Sequence, residues 1–214
     1  MKIFNLPDRV LGIVFDMDGT LYSHPAYLAW QESSQVARLA DWLGIDAVQA
    51  AQKMRAAREA RRASGLPATS MANLFLEFGV EMSEIVRWRE EDFIPAKWLK
   101  PNQTLNRALG NLARDYRLAL LTNNPQKVGF LSLEALGVSK HFNAIIGLDD
   151  SGESKPSRLP FLRACESLSL SPQACVSVGD REDVDIKPAL ALGMGGILVG
   201  GLEDVYALSE FLKA

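Results

Sequence analysis

Apolar and polar positions along this chain fall into blocks of two kinds. The run Val10 to Phe15 is short, apolar and ends abruptly at Asp16 and Asp18. Such a block predicts a strand buried on both faces. After Tyr22-Ser23-His24-Pro25 the pattern changes. Leu28, Val36, Leu39, Ala40 and Leu43 recur at roughly helical spacing and predict a helix over 26–42. Residues 47–62 are rich in Ala, Arg, Lys, Gln and Glu, all good helix formers, and Gly65-Leu66-Pro67 breaks that helix. Two further helices are predicted over 70–78 and 83–92, with Ser70 and Ser83 as their caps. Residues 26–92 hold no convincing strand pattern, and Pro95 and Pro101 discourage a continuous helix in the return segment.

From Asn102 onward the two kinds of block alternate. Helices are predicted over 102–114, 125–136, 159–168, 186–192 and 202–212, and strands over 117–122, 144–147, 174–178 and 196–199. Alternation of this kind predicts an α/β fold with a parallel sheet covered on both faces. The 10–15 strand belongs to that sheet, so the helical region is an insertion after strand one. The expected boundaries are 1–22 plus 102–214 for the α/β core domain and 23–101 for the helical domain.

Composition narrows the function classes. The 214 residues, 48% of them hydrophobic, suit one core plus a small second domain. A net charge of −3 gives no basic footprint, so no nucleic-acid partner is expected. No apolar run approaches the roughly 18 residues a membrane helix needs, so no membrane association is expected either. The N-terminus lacks the apolar core of a signal peptide. Cys165 and Cys175 lack metal-type spacing and are expected as reduced core residues, which fits a cytoplasmic protein. With only His24 and His141 in the chain, a histidine-built metal site is not expected.

The chemistry concentrates where predicted strands end. Asp16 and Asp18 are two apart, so they share a face if strand geometry persists, and Gly19 lets the chain turn away. Two close carboxylates at the end of a buried strand require a compensating positive charge, and a divalent cation with oxygen ligands supplies it most simply. Thr122-Asn123-Asn124 ends a second strand, Ser154-Lys155-Pro156 follows a third, and Gly179-Asp180 with Glu182, Asp183 and Asp185 follows a fourth. In open parallel sheets, sites form outside these strand ends. An acid cluster, a hydroxyl and a fixed cation there are an inventory for metal-assisted phosphoryl transfer. Alone, Asp18-Gly19 reads as turn chemistry, Thr122 as a helix cap, Lys155 as a solvated lysine, and Glu182 and Asp183 as helix-start or solvent-facing acids.

Taken together and in order, the four motifs resemble those of the haloacid dehalogenase superfamily. The matching stretches are Asp16-Met17-Asp18-Gly19-Thr20, the strand ending at Thr122-Asn123, Lys155-Pro156, and Gly179-Asp180 followed by Asp185. The resemblance implies a Rossmann-like core with an inserted α-helical cap of the C1 type. It implies a phosphatase acting on a small phosphorylated metabolite, with Asp16 as nucleophile and Asp18 as general acid and base. Mg²⁺ would be held by the Asp16 and Asp180 side chains and the Asp18 main-chain carbonyl. Thr122 and Lys155 would hold phosphate oxygens, with the backbone N–H groups of Met17 and Asn123 completing the cradle. Asp185 would anchor Lys155 or metal-bound water, with Asp183 as its alternative.

Within the superfamily, Asp18 argues for phosphate rather than halide chemistry, and against the pumps, which carry lysine there. A phosphonate hydrolase would need a cap lysine such as Lys53. A sugar-phosphate mutase shares all four motifs and stays open, as does a non-catalytic metabolite-binding member. Ser23 departs from the Asp that many C1-capped members place there. In the cap, Arg55, Arg58 and Arg62 share a helix face, expected mainly as a solvated surface with one arginine reaching the cleft. Trp30, Trp42, Trp88 and Trp98 are expected to fill the helical core.

Overall fold

The computed structural model describes residues 1–66 and 69–212. Its described strands are β1 (Lys2–Phe4), β2 (Gly12–Phe15), β3 (Arg117–Leu121), β4 (Ala144–Ile146), β5 (Cys175–Gly179) and β6 (Gly195–Leu198). They form one sheet in the order β1-β6-β5-β2-β3-β4. All neighbouring pairs are parallel except β1 with β6, an antiparallel edge that the apolar pattern did not predict. Three residues, two of them exposed, are too few to carry a strand signal.

β2 lies inside the sheet and is fully buried, which is why it reads as an unbroken apolar run. Its residues alternate between two cores. Ile13 and Phe15 join Leu118, Leu120, Val176 and Val178 against α5 (Gln103–Leu112), α6 (Gln126–Leu136) and α10 (Leu202–Phe211). Val14 joins Ala119, Leu121 and Ile146 against α8 (Leu159–Ser167) and α9 (Lys187–Leu190). A four-residue helix, α7 (Leu148–Ser151), follows β4.

Four helices are inserted between β2 and α5: α1 (Pro25–Leu43), α2 (Ala47–Ala63), α3 (Met71–Glu77) and α4 (Met82–Asp92). Asp46 and Gln49 form a reciprocal capping box at α2, and the Ser70 hydroxyl caps α3. Ser83 is not a cap. Glu81 occupies that position without a side-chain bond, and Ser83 lies inside α4. Helix α2 ends at Ala63 with Ser64 as its cap; Pro67 of the expected breaker lies outside the described residues. The inserted helices enclose their own cluster around Leu39, Met54, Phe75, Ile85 and Trp88, and Leu148 of the core completes it.

Of the four tryptophans, only Trp88 is in that cluster. Trp30 and Trp42 are 45% and 46% exposed, correcting the expectation of a tryptophan-filled core. Trp98 stacks on Tyr27, which stacks on Tyr22, so the chain segments entering and leaving the cap share one aromatic ladder. Cys165 and Cys175 are free and buried. No helix among the described residues is long and apolar enough to cross a membrane.

Candidate active site

The site lies at the carboxyl ends of β2, β3 and β5. Strand pairing continues one residue beyond β2, where the Asp16 N–H donates to the Val178 carbonyl at 2.8 Å, and this fixes the Asp16 side chain at the sheet edge. Asp16 Oδ1 accepts from Lys155 Nζ at 2.5 Å and Oδ2 accepts from the Thr20 hydroxyl at 3.0 Å. Lys155 also donates to Asp185 Oδ1 at 2.7 Å. These three side chains are 5%, 1% and 1% exposed respectively for Asp16, Lys155 and Asp185. Burial pulls the Lys155 pKa down, but Asp16 and Asp185 outweigh it and hold the ammonium above its ordinary value.

Asp18 occupies a different environment. Its Oδ1 accepts from the Tyr22 hydroxyl and its Oδ2 from Asn124 Nδ2, the latter at 3.0 Å. Burial raises its pKa above the ordinary carboxylate range, against the opposing Tyr22 hydrogen bond. Gln31 in turn donates to the Tyr22 hydroxyl at 3.4 Å.

Asp180 completes the acid group. Asp16, Asp180 and Asp185 each offer a carboxylate oxygen, and these atoms lie within 4.8 Å of one another. Burial first, and the Asp16 charge second, push the Asp180 pKa up to about 6. Among the described residues Asp180 Oδ1 is buried without a hydrogen-bond partner, its ion-pair contact being Arg181 Nε at 3.7 Å. Both Asp185 oxygens are engaged, by Lys155 and by the Arg181 N–H at 3.1 Å. A carboxylate oxygen on Asp180 without a hydrogen bond, beside Asp16, is a hard, anionic donor set that fits Mg²⁺. Gly19 admits this arrangement. Its φ is +91°, and a Cβ there would lie 2.3 Å from Asp180 Oδ2.

The remaining predicted residues have defined positions. Thr122 is buried, and its hydroxyl accepts from the Asn124 N–H at 3.1 Å. The Asn123 side chain clamps the Lys155 backbone, accepting from its N–H at 2.7 Å and donating to its carbonyl at 3.1 Å. Lys155-Pro156 is a cis peptide bond. Asp183 stands apart, paired with Lys187 at 2.5 Å and exposed, so Asp185 is the acid that joins the cluster.

Several contributors escaped the sequence reading. Tyr22 and Asn124 hold Asp18. From the cap, Arg89 donates from Nη1 to the Asn123 carbonyl at 2.5 Å, and burial lowers its pKa to about 10. The Ser70 and Ser154 hydroxyls meet at 2.7 Å, tying α3 to the residue before Lys155. Arg89 and Ser70 gave no signal in the sequence because their contacts are made across the cap boundary, and Tyr22 and Asn124 gave none because they meet Asp18 only in the fold. Arg55, Arg58 and Arg62 of α2 are exposed, yet they line a cavity of about 660 Å³ with Asp183. Arg58 also lines a cavity of about 360 Å³ between α1, α3 and the loop after β5, shared with Gln31, Gln35, Ser70 and Arg181.

A family model for haloacid dehalogenase-like hydrolases matches residues 10–193. The chain belongs to this family. The phosphoglycolate phosphatase of Escherichia coli is 30% identical over 87% of this chain and 79% of its own length. That of Chromobacterium violaceum is 39% identical over 44% of this chain and 43% of its own length. The N-acylneuraminate-9-phosphatase of Rattus norvegicus is 34% identical over 40% of this chain, spanning 35% of the relative. For the latter two, the matched part is less than half of the relative. Among solved structures, a haloacid dehalogenase-family phosphatase from Thermococcus onnurineus shares the fold with a TM-score of 0.64 at 22% identity, over 95% of this chain and 98% of that one. A β-phosphoglucomutase from Clostridium difficile also shares the fold, with a TM-score of 0.58 at 22% identity over 92% and 87%. Hydrolase and mutase share this architecture, so the fold does not choose between them.

Proposed function

We propose that this haloacid dehalogenase-family member is a Mg²⁺-dependent phosphatase that hydrolyses a small phosphorylated metabolite through an aspartyl-phosphate. The proposal takes residues 23–101 as the cap over a core of 1–22 and 102–214. The observation that carries it is the division of labour between two neighbouring carboxylates. Asp16 lies against the Lys155 cation, whereas Asp18 is partly buried and held by neutral donors, with raised proton affinity. Environments that separate two acids in this way assign a nucleophile and a proton donor.

A carboxylate oxygen of Asp16 attacks phosphorus, the ester P–O bond breaks, and the Asp18 proton passes to the leaving alkoxide. Water then attacks the phosphorus, Asp18 takes its proton, and the bond to Asp16 breaks to release inorganic phosphate. Lys155, held by Asn123 and by Asp185, keeps positive charge beside Asp16 so that an anionic substrate can approach. Thr122 and the backbone N–H groups of Met17 and Asn123 hold phosphate oxygens. Asp16, Asp180 and the Asp18 carbonyl would hold Mg²⁺, which supplies charge neutralisation at the phosphoryl oxygens.

The test is turnover of a phosphomonoester panel with Mg²⁺, including phosphoglycolate, with both phosphate release and positional isomers measured. Phosphate release that is lost in Asp16→Asn is expected. Isomer formation without phosphate release would replace this reading with a mutase, and tight binding without turnover would replace it with a non-catalytic binder.

A further inference from the structure

Gln35, in α1, is fully buried, and its Nε2 has no hydrogen-bond partner. Its Oε1 accepts from Arg89 Nε at 3.4 Å. Arg89 is 5% exposed and makes no ion pair with any described residue. Among the described residues its side chain makes two hydrogen bonds, both to neutral oxygens, those of Gln35 and Asn123, which leaves guanidinium donors unused. A buried guanidinium that feels the Asp18 charge but makes no ion pair, and a buried amide without an acceptor, are both costly. Both costs fall on one locus. Gln35 lines the 360 Å³ cavity beside Gln31, whose neighbour Tyr22 holds Asp18. Arg89 sits on the Asn123 carbonyl, next to the Asn124 that holds the other Asp18 oxygen. Arg89 and Gln35 therefore flank the two donors that hold Asp18.

The geometry points to a specificity pocket in which Arg89 and Gln35 read a second anionic group, a carboxylate or a second phosphate, on the leaving alcohol. This inference rests on the phosphatase reading for the identity of Asp18 as the acid. An oxyanion there would pair the guanidinium and accept from Gln35 Nε2, removing both unmet demands at once. A neutral alcohol would leave the guanidinium unpaired, so the site discriminates by charge.

The experiment compares kcat/KM for 2-phosphoglycolate, ethylene glycol bisphosphate and uncharged-ended 2-hydroxyethyl phosphate. Wild type is expected to favour at least one doubly anionic substrate by about tenfold or more over 2-hydroxyethyl phosphate. The better of the two identifies the second group. Gln35→Glu sets an acid beside Arg89 with little change in shape, and Arg89→Met removes the cation; both should erase most of the preference. A purely structural role would lower all substrates together and leave the ratio intact, and that result, or no preference in wild type, overturns the inference. If no phosphomonoester is turned over, the phosphatase reading fails by itself. Tm shifts with the same three compounds then decide the pocket: a larger shift with a doubly anionic compound, abolished in Gln35→Glu, supports it, and equal shifts overturn it.

Discussion

Replacing Lys155 by Met tests the electrostatic core of the site most directly. The ammonium is 1% exposed and donates to two carboxylates that are 5% and 1% exposed, at 2.5 and 2.7 Å. Methionine preserves volume and burial, so packing changes little. What is lost is the counter-charge for Asp16 and Asp185, whose oxygens lie within 4.8 Å of those of Asp180. Removing one partner of a buried pair costs about 3–5 kcal/mol, and here one cation serves two anions, so the upper half of that range applies. For a chain of this length that is a fall in Tm of roughly 10 °C. The assay is urea unfolding in EDTA at neutral pH, where the midpoint should fall with the slope unchanged.

The pH dependence carries a sign. Lys155 has a raised folded pKa, so its contribution is complete below its unfolded value and is lost only in strong alkali, as pH rises through the folded value. Between neutrality and about pH 5 the wild-type lysine therefore contributes no slope. In the variant Asp185, whose proton affinity burial already raises, loses its ammonium partner and keeps only Arg181 at 3.9 Å, so the stability deficit should shrink as pH falls. A deficit under about 1 kcal/mol, or one that does not shrink with acid, would refute the view that Lys155 neutralises two ionised carboxylates. Adding Asp185→Asn should restore part of the loss, because one orphaned charge disappears.

Three other outcomes are expected. Gly19→Ala should cost about 1–3 kcal/mol from the positive φ and drive Asp180 off its position, with Mg²⁺ affinity falling more than stability in calorimetric titration. Mg²⁺ should raise Tm above pH 6 and progressively less below it, because Asp180, with a pKa of about 6, takes up a proton in competition; without metal, the same raised pKa makes the protein gain stability as pH falls through 6. Tyr22→Phe removes a donor to Asp18 worth about 1.5–3 kcal/mol as a hydrogen bond to a charged group, so kcat on alkyl phosphates should drop by roughly tenfold or more. The effect should be smaller on p-nitrophenyl phosphate, whose leaving group needs little protonation; equal loss on both would count against Asp18 as the acid.

Most of the fold is written in local pattern. The buried run before Asp16 and the alternation after Asn102 gave strands and helices to within a few residues, because burial on two faces leaves an unmistakable apolar block. The motif residues were legible for the same reason: each follows such a block. Residues that act across the chain were not. Arg89 lies in an ordinary amphipathic helix, surrounded by Glu84, Arg87, Glu90 and Glu91, and nothing local distinguishes it from its solvated neighbours. Its burial arises only when α4 meets the loop after β3. Asn123 was expected to lend its backbone to phosphate, whereas its side chain proves to be the bracket for Lys155. The β1 edge strand and the π-helical turn at Glu182–Ile186 likewise arise from tertiary contact, not from periodicity.

The distribution of indoles has a spectroscopic consequence. All four tryptophans fall between residues 30 and 98, and the catalytic sheet contains none. Trp98 is sandwiched in the ladder between Tyr27 and Trp30, where the two hinge segments meet. Tryptophan fluorescence of this protein is therefore a signal from residues 30–98 alone, while Tyr116 and Tyr206 belong to the core. Any ligand-induced change around these indoles is readable from unlabelled protein by exciting tryptophan selectively, whereas the sheet that carries Asp16 holds no indole to report on it.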